Sequence, residues 1–171
     1  MANKKDLRFI KTEKLIRETY LALKKQQEAP VKVTELCNAA LINKTTFYAH
    51  YETMESLHNS ICKETVKNLL DGCELADQAF EHMEGFVYAL MNAILAEEDT
   101  LSALYGSNTS GMLKDFEEEL LKIYLQEEED PDRRNKITFC IGGASRLLFT
   151  SRDPESIHAV VQLMQKVFDL A

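Results

Sequence analysis

Apolar residues recur at helical spacing from one end of the chain to the other, and the elements can be laid out from that spacing alone. Residues 1–6 read as frayed. The segment 7–27 reads as a helix, with Ile16, Tyr20 and Leu23 on one face and Leu15, Thr19 and Ala22 beside them. Pro30 ends it by disfavouring a helical conformation at Ala29, and Val31-Lys32-Val33 is a short extended link. Two short helices follow, about 34–40 and 44–50, with a tight turn between them. Thr34 is placed to cap the first, and Asn43 to cap the second. Leu41 and Ile42 are expected to pack under the turn. Phe47 and Tyr51 point inward, while Lys44, Thr45 and Tyr48 occupy other faces and reach outward.

A longer helix opens at Thr53, with Ser56 at its third position, and runs to about Asp71 on the stripe Leu57, Ile61, Cys62, Val66, Leu69 and Leu70. No flexible spacer lies near residue 52, so this helix is expected to transmit movement between two parts of the molecule. Further helices are expected over 75–97, 99–105, 109–126, 132–150 and from Asp153-Pro154 to about 170. Gly106-Ser107-Asn108 stops the second of these. Gly142-Gly143 interrupts the fourth and reads as a close approach of another backbone. The fold class is therefore all-α. A three-helix head spans 1–51, and a helical body of about five to six helices spans 52–171. The last two helices carry more apolar surface than one small body needs. Ile141, Gly142, Gly143, Leu147, Val160, Met164, Val167 and Phe168 are assigned to a homodimer interface, with an intramolecular hairpin as the other arrangement.

The formal net charge is −8, which at first argues against a nucleic-acid partner. Its distribution argues the other way. Residues 1–51 hold ten Lys or Arg against five Asp or Glu, a net of +5, and residues 52–171 hold ten against twenty-three, a net of −13. A basic head on an acidic body can sit on DNA at one end only. Lys4, Lys5, Arg8 and Lys11 are either phosphate or minor-groove contacts or a solvated basic end. With 45% hydrophobic and 28% charged residues, no apolar run of about 18 and no secretory h-region, the chain is expected in the cytoplasm, with no membrane partner.

Chemistry is sparse. Cys37, Cys62, Cys73 and Cys140 form no C-x-x-C pair and read as buried reduced thiols. His58 and Glu55 form an i,i+3 pair with no further ligand at metal spacing. Gly142-Gly143 lacks the context of a phosphate loop, and there is no G-x-S-x-G. No catalytic residue, metal or cofactor is assigned, and an enzyme is not expected.

The run Ala40-Leu41-Ile42-Asn43-Lys44-Thr45-Thr46-Phe47-Tyr48-Ala49-His50-Tyr51, followed by Glu55 and Leu57, resembles the helix-turn-helix signature of TetR/AcrR-type transcriptional regulators. That signature runs Ala-Gly-Val-Ser-x-Gly-Thr-Leu-Tyr-x-His-Phe, then Lys-Glu-x-Leu. Ala40, Thr46, Tyr48 and His50 match outright, and Ile42, Asn43, Phe47 and Tyr51 are chemically similar. The likeness spans residues 8–62, and the chain's length and all-helical pattern also fit the family. Three positions depart from it. Leu41 stands where the family has its turn glycine, Thr45 where it often has a second small residue, and Met54 where it has a phosphate-binding lysine.

By residue type, Lys44 can bond a guanine edge or a phosphate, and Thr45 can donate to phosphate or touch a thymine methyl. Tyr48 and His50 can bond phosphate, as the resemblance also implies. Lys32 and Thr34 lie at the start of the preceding helix, where free N–H groups favour phosphate. Asn43 and Thr46 complete the DNA-facing set. In the body, Met83, Phe86, Met91, Tyr105, Met112 and Phe116 are either plain core or the lining of a ligand pocket. The expected function is a homodimeric repressor on a pseudo-palindromic site in double-stranded DNA, controlled by a small molecule or a partner protein. The alternative is an all-helical interaction module or partner-dependent co-regulator with weakened DNA binding, which the departures at Leu41 and Met54 favour.

Overall fold

The computed structural model describes residues 4–27, 29–151 and 153–169, without the side chains of residues 4–6 and 77. Among the described residues the chain is all-helical, with nine α-helices and a short 3-10 turn. It divides into two compact units. One comprises Met1–Cys62 and Asp99–Ser107, the other Lys63–Glu98 and Asn108–Ala171. The head expected over 1–51 lies inside the first unit, which also takes in residues 52–62 and a short later helix.

In the first unit, α1 is Lys4–Gln26, α2 is Val33–Ala39 and α3 is Lys44–His50. The first half of α4, Met54–Asp71, and most of α6, Glu98–Tyr105, complete it. Helix α1 begins at Lys4, earlier than the expected residue 7, and residues 1–3 lie outside the described residues. Its buried face is narrower than the spacing suggested. Ile16 and Tyr20 are buried, whereas Leu15 and Ala22 are exposed. They pack in a unit whose other buried side chains include Leu36, Phe47, Leu57 and Ile61. The Arg17 guanidinium ties the unit together. It donates to the Tyr51 hydroxyl at 3.1 Å and to Ser60 Oγ at 2.8 Å. The Tyr51 hydroxyl donates in turn to the Glu13 carboxylate at 3.1 Å. The His58 ring lies against Tyr20 and Cys62. Its Nδ1 lies 2.9 Å from the Tyr20 hydroxyl and its Nε2 3.5 Å from Cys62 Sγ. Burial, with a smaller contribution from Cys62, pushes the Tyr20 phenol up to about 12. Helix α4 is capped as expected: Ser56 N–H donates to Thr53 Oγ1 at 3.0 Å and Thr53 N–H to Ser56 Oγ at 3.1 Å.

In the second unit, α5 is Met83–Ala96, α7 is Thr109–Leu125, α8 is Pro131–Thr150 and α9 is Pro154–Asp169. Helix α8 packs between α7 and α9, and α5 packs on α9. Side-chain caps open the last three helices, and of these the one at Asp153 was expected. Asn108 accepts from Gly111 N–H at 3.0 Å, Asp130 from Asp132 N–H at 3.0 Å and Asp153 from Ser156 N–H at 2.9 Å. The Ser156 bonds hold the Asp153 carboxyl below its ordinary value.

Two expectations fail here. The helix expected over 75–97 starts only at Met83. It is preceded by Leu75 in the left-handed region, φ +64°, and the 3-10 turn Ala76–Gln78. Tertiary contacts explain this. The Tyr124 hydroxyl donates to the Ala76 carbonyl at 2.7 Å, and Leu75 Cδ1 fills space left by Gly85, 2.9 Å from where a Cβ would sit. Gly142-Gly143, by contrast, does not interrupt α8, and no other described residue comes within 4 Å of a Cβ built at either position. The four cysteines are buried and free, and burial pushes the Cys37, Cys73 and Cys140 thiols up.

Candidate nucleic-acid interface

The face formed by α2, its turn and α3 begins with a cap that sequence reasoning misplaced. Lys32, not Thr34, is the N-cap of α2, and its N–H donates to the Glu35 carboxylate at 3.4 Å. The signal was the acidic residue three positions after Lys32, half of a capping box. Thr34 sits inside the first turn, exposed.

Helix α2 ends in a Schellman arrangement. Leu41 N–H donates to the Asn38 carbonyl at 3.3 Å and Ile42 N–H to the Cys37 carbonyl at 3.0 Å. This closure requires a left-handed residue after the cap, and Leu41 supplies it at φ +53°. For a residue with a Cβ that conformation costs about 1–2 kcal/mol. Leu41 does not pack under the turn as expected; its side chain is 92% exposed. Ile42 is half-buried.

Asn43 then caps α3. Its Oδ1 accepts from Thr46 N–H at 2.7 Å and from Thr46 Oγ1 at 2.9 Å. Both side chains were expected to face DNA; these groups are committed to each other. Phe47 is the buried anchor of α3. Around it Lys44, Thr45 and Tyr48 are exposed, and none forms a hydrogen bond or salt bridge with another described residue. Lys32, Arg8 and Lys11 are also exposed in this unit, whereas Lys14 shares its charge with Glu18 at 3.7 Å. The side chains of Lys4 and Lys5 lie outside the described residues.

His50 differs from expectation. Its ring stacks on Phe9, centroids 3.8 Å apart, and its Nδ1 is buried without a hydrogen-bond partner. Nothing in the local spacing singled out Phe9, because a contact between α1 and α3 is set by packing across the unit. Met54, at the family's lysine position, is half-buried at the first residue of α4.

The second unit contains an apolar cavity of about 50 Å³. Of the six residues read as either plain core or pocket lining, Phe86, Met91 and Phe116 line it, while Met83 and Met112 do not. Tyr105 belongs to the first unit. Ser145 on α8 also lines the cavity and was not anticipated, because one serine in an apolar helical stripe carries no signal. The residues assigned to a partner-facing surface divide. Ile141 and Val160 are buried in the unit's own core, and Met164 is half-buried against the cavity. Val167 and Phe168 are half-buried, with the Phe168 ring 4.9 Å from that of Phe80. Gly142, Gly143 and Leu147 are exposed, alongside Phe139 and Leu163, which sequence reasoning left out. The densest apolar spacing marks the inward face of α8 and α9, which is why Ile141 and Val160 were misassigned.

Among the described residues, no group of three or more His, Cys, Asp or Glu is placed to hold a metal, and no helix is long and apolar enough to cross a membrane. No family model matches the chain, and no curated protein matches it.

Proposed function

We propose that the chain is a DNA-binding transcriptional regulator of the TetR-like type. On this reading, α2 and α3 form a helix-turn-helix whose second member enters the major groove. Lys44 and Thr45 reach base edges or phosphate, and Tyr48 fixes register on the backbone. The observation that carries the reading is the closure of α2. The residue that must be left-handed, Leu41, stands where the resembled signature has its glycine, and the next helix presents exposed Lys44, Thr45 and Tyr48 side chains that make no hydrogen bond or salt bridge with another described residue. The regulator acts in a bacterial cytoplasm as a homodimeric repressor on a pseudo-palindrome, and a small effector in the second unit controls its affinity. The dimer face is the outer surface of α8 and α9, where Phe139 is 69% exposed, Leu147 50% and Leu163 55%.

A second reading, an interaction module that no longer reads DNA, draws on Leu41 as a solvent-facing apolar side chain and on Met54 in place of lysine. Selection of bound duplexes from random DNA separates the two. The regulator is expected to enrich a two-fold symmetric site. Lys44→Ala should weaken binding to it and reduce the salt dependence by about one unit of slope. Tyr48→Phe should weaken binding by about 3- to 10-fold through one lost hydrogen bond. No enrichment at low salt moves the interaction module to first place.

A further inference from the structure

We propose that the cavity of the second unit takes a small, neutral, mainly apolar molecule with one hydrogen-bonding group, and that Ser145 is its polar anchor. This rests on the reading above only in treating the second unit as the effector site.

The inference starts from an unpaired hydroxyl. Ser145 is 8% exposed and lines a cavity otherwise walled by side chains such as Phe86, Leu90, Met91 and Phe116. On the same helix, Thr138 and Thr150 send their hydroxyls back to the carbonyls of Arg134 and Arg146, at 2.8 and 2.9 Å. Ser145 makes no such bond, and its hydroxyl has no hydrogen-bond partner among the described residues. The Ser145 oxygen is not fully enclosed, so the group that completes it comes through the cavity, as a water or as a ligand's polar group. Tyr124, the other hydroxyl on the wall, already donates to the Ala76 carbonyl. One polar group in an apolar chamber selects a ligand with one polar group of its own.

Size and charge narrow the class. About 50 Å³ is a third of the roughly 150 Å³ of an engineered apolar cavity that admits benzene. A single ring therefore enters only as Met91 and Met164, both on the wall, change rotamer, which unbranched thioethers do readily. Phe80 and Tyr124 also line an open cleft of about 370 Å³. Its rim carries Glu81, Glu127 and Glu128, and the cation lining it, Arg133, is paired with Glu128 at 2.8 Å. An anionic ligand is disfavoured along that route.

The test uses the full chain with phenol, toluene and benzoate as probes, measured by calorimetry and by the shift in thermal midpoint. Phenol and toluene differ by a hydroxyl in place of a methyl, so their ratio isolates the anchor. Phenol should bind saturably and raise the midpoint; benzoate should do neither. Ser145→Ala should still bind toluene, and the phenol-to-toluene affinity ratio should fall about 3- to 10-fold. Absence of saturable phenol binding to the folded wild type overturns the proposal, as does a ratio unchanged in Ser145→Ala. Benzoate binding as tightly as phenol overturns the neutral class. DNA selection is scored separately. A chain that binds DNA but not phenol loses this inference alone, and one that binds phenol but no DNA keeps it and loses the regulator role.

Discussion

Phe47 and Phe116 are both buried phenylalanines, yet they hold different kinds of structure. Phe47 is the only buried residue of a seven-residue helix, and the rest of α3 is held by its cap and its turn. Phe116 is one of three buried residues on a seventeen-residue helix and borders a void. The first unit fixes its short α2 and α3 by local chemistry, a capping Asn and a Schellman closure, and ties Tyr51 back to α1 through the Arg17-Tyr51-Glu13 chain. The second fixes long elements by burying apolar stripes, and leaves a gap where the stripes meet. Each unit holds a left-handed leucine, Leu41 in the first and Leu75 in the second, and the second also holds an apolar cavity.

The comparison breaks most easily at these two phenylalanines. Phe47→Ala and Phe116→Ala should each cost about 3–5 kcal/mol in denaturant unfolding. They should differ in where the loss falls. Amide exchange should rise in α2 and α3 for Phe47→Ala, with α7 to α9 still protected, and the reverse for Phe116→Ala. Loss of protection everywhere in both variants would show one cooperative body and void the contrast.

A smaller test separates the two local devices at the turn. Asn43→Ala removes the cap of α3 and leaves Thr46 N–H without its acceptor, at a cost of about 1 kcal/mol. Leu41→Gly should act with the opposite sign. It relieves a left-handed leucine that has almost no packing to lose, and the gain should be about 0.5–1 kcal/mol after the extra chain entropy of glycine is subtracted. A loss of stability in Leu41→Gly would mean that the exposed side chain is held by contacts the closure alone does not explain.

The same contrast sets what could be read beforehand. The caps at Asn43, Thr53 and Asp153 were legible, because each side chain bonds its own helix, whereas those at Asn108 and Asp130 were passed over and that of α2 was misplaced. The need for a left-handed residue at 41 was legible from the resembled signature, but its exposure was not, because a turn's Cβ direction depends on how the next helix leaves. Residues 75–82 were misread because Phe80 and Met83 keep helical spacing while Tyr124, 48 residues from Ala76, and the contact of Leu75 with Gly85 decide the backbone. His50 was legible as part of a motif, but not as a ring stacked on Phe9. Local rules located the exposed Lys44, Thr45 and Tyr48. They could not locate Ser145, whose significance comes from a void that four helices make together.

The smallest expected effect tests what the long helices of the second unit leave uncovered. Gly143 lies inside α8, exposed, with no described residue within 4 Å of a built Cβ. In the single chain Gly143→Ala has only the unfolded state to act on, so it should stabilise by about 0.5–1 kcal/mol. Phe139, Gly143 and Leu147 follow one another at i,i+4 spacing on the same side of the helix, so a second copy docked there would bring a backbone against this stripe. The methyl that helps the lone chain would then obstruct the pair. Sedimentation equilibrium with thermal unfolding at two concentrations distinguishes these cases. A homodimer through this face predicts weaker association in Gly143→Ala, together with a smaller dependence of the midpoint on concentration. A plain gain in stability with unchanged association would place the dimer contact elsewhere, and would make the exposed Phe139 and Leu147 the next surface to explain.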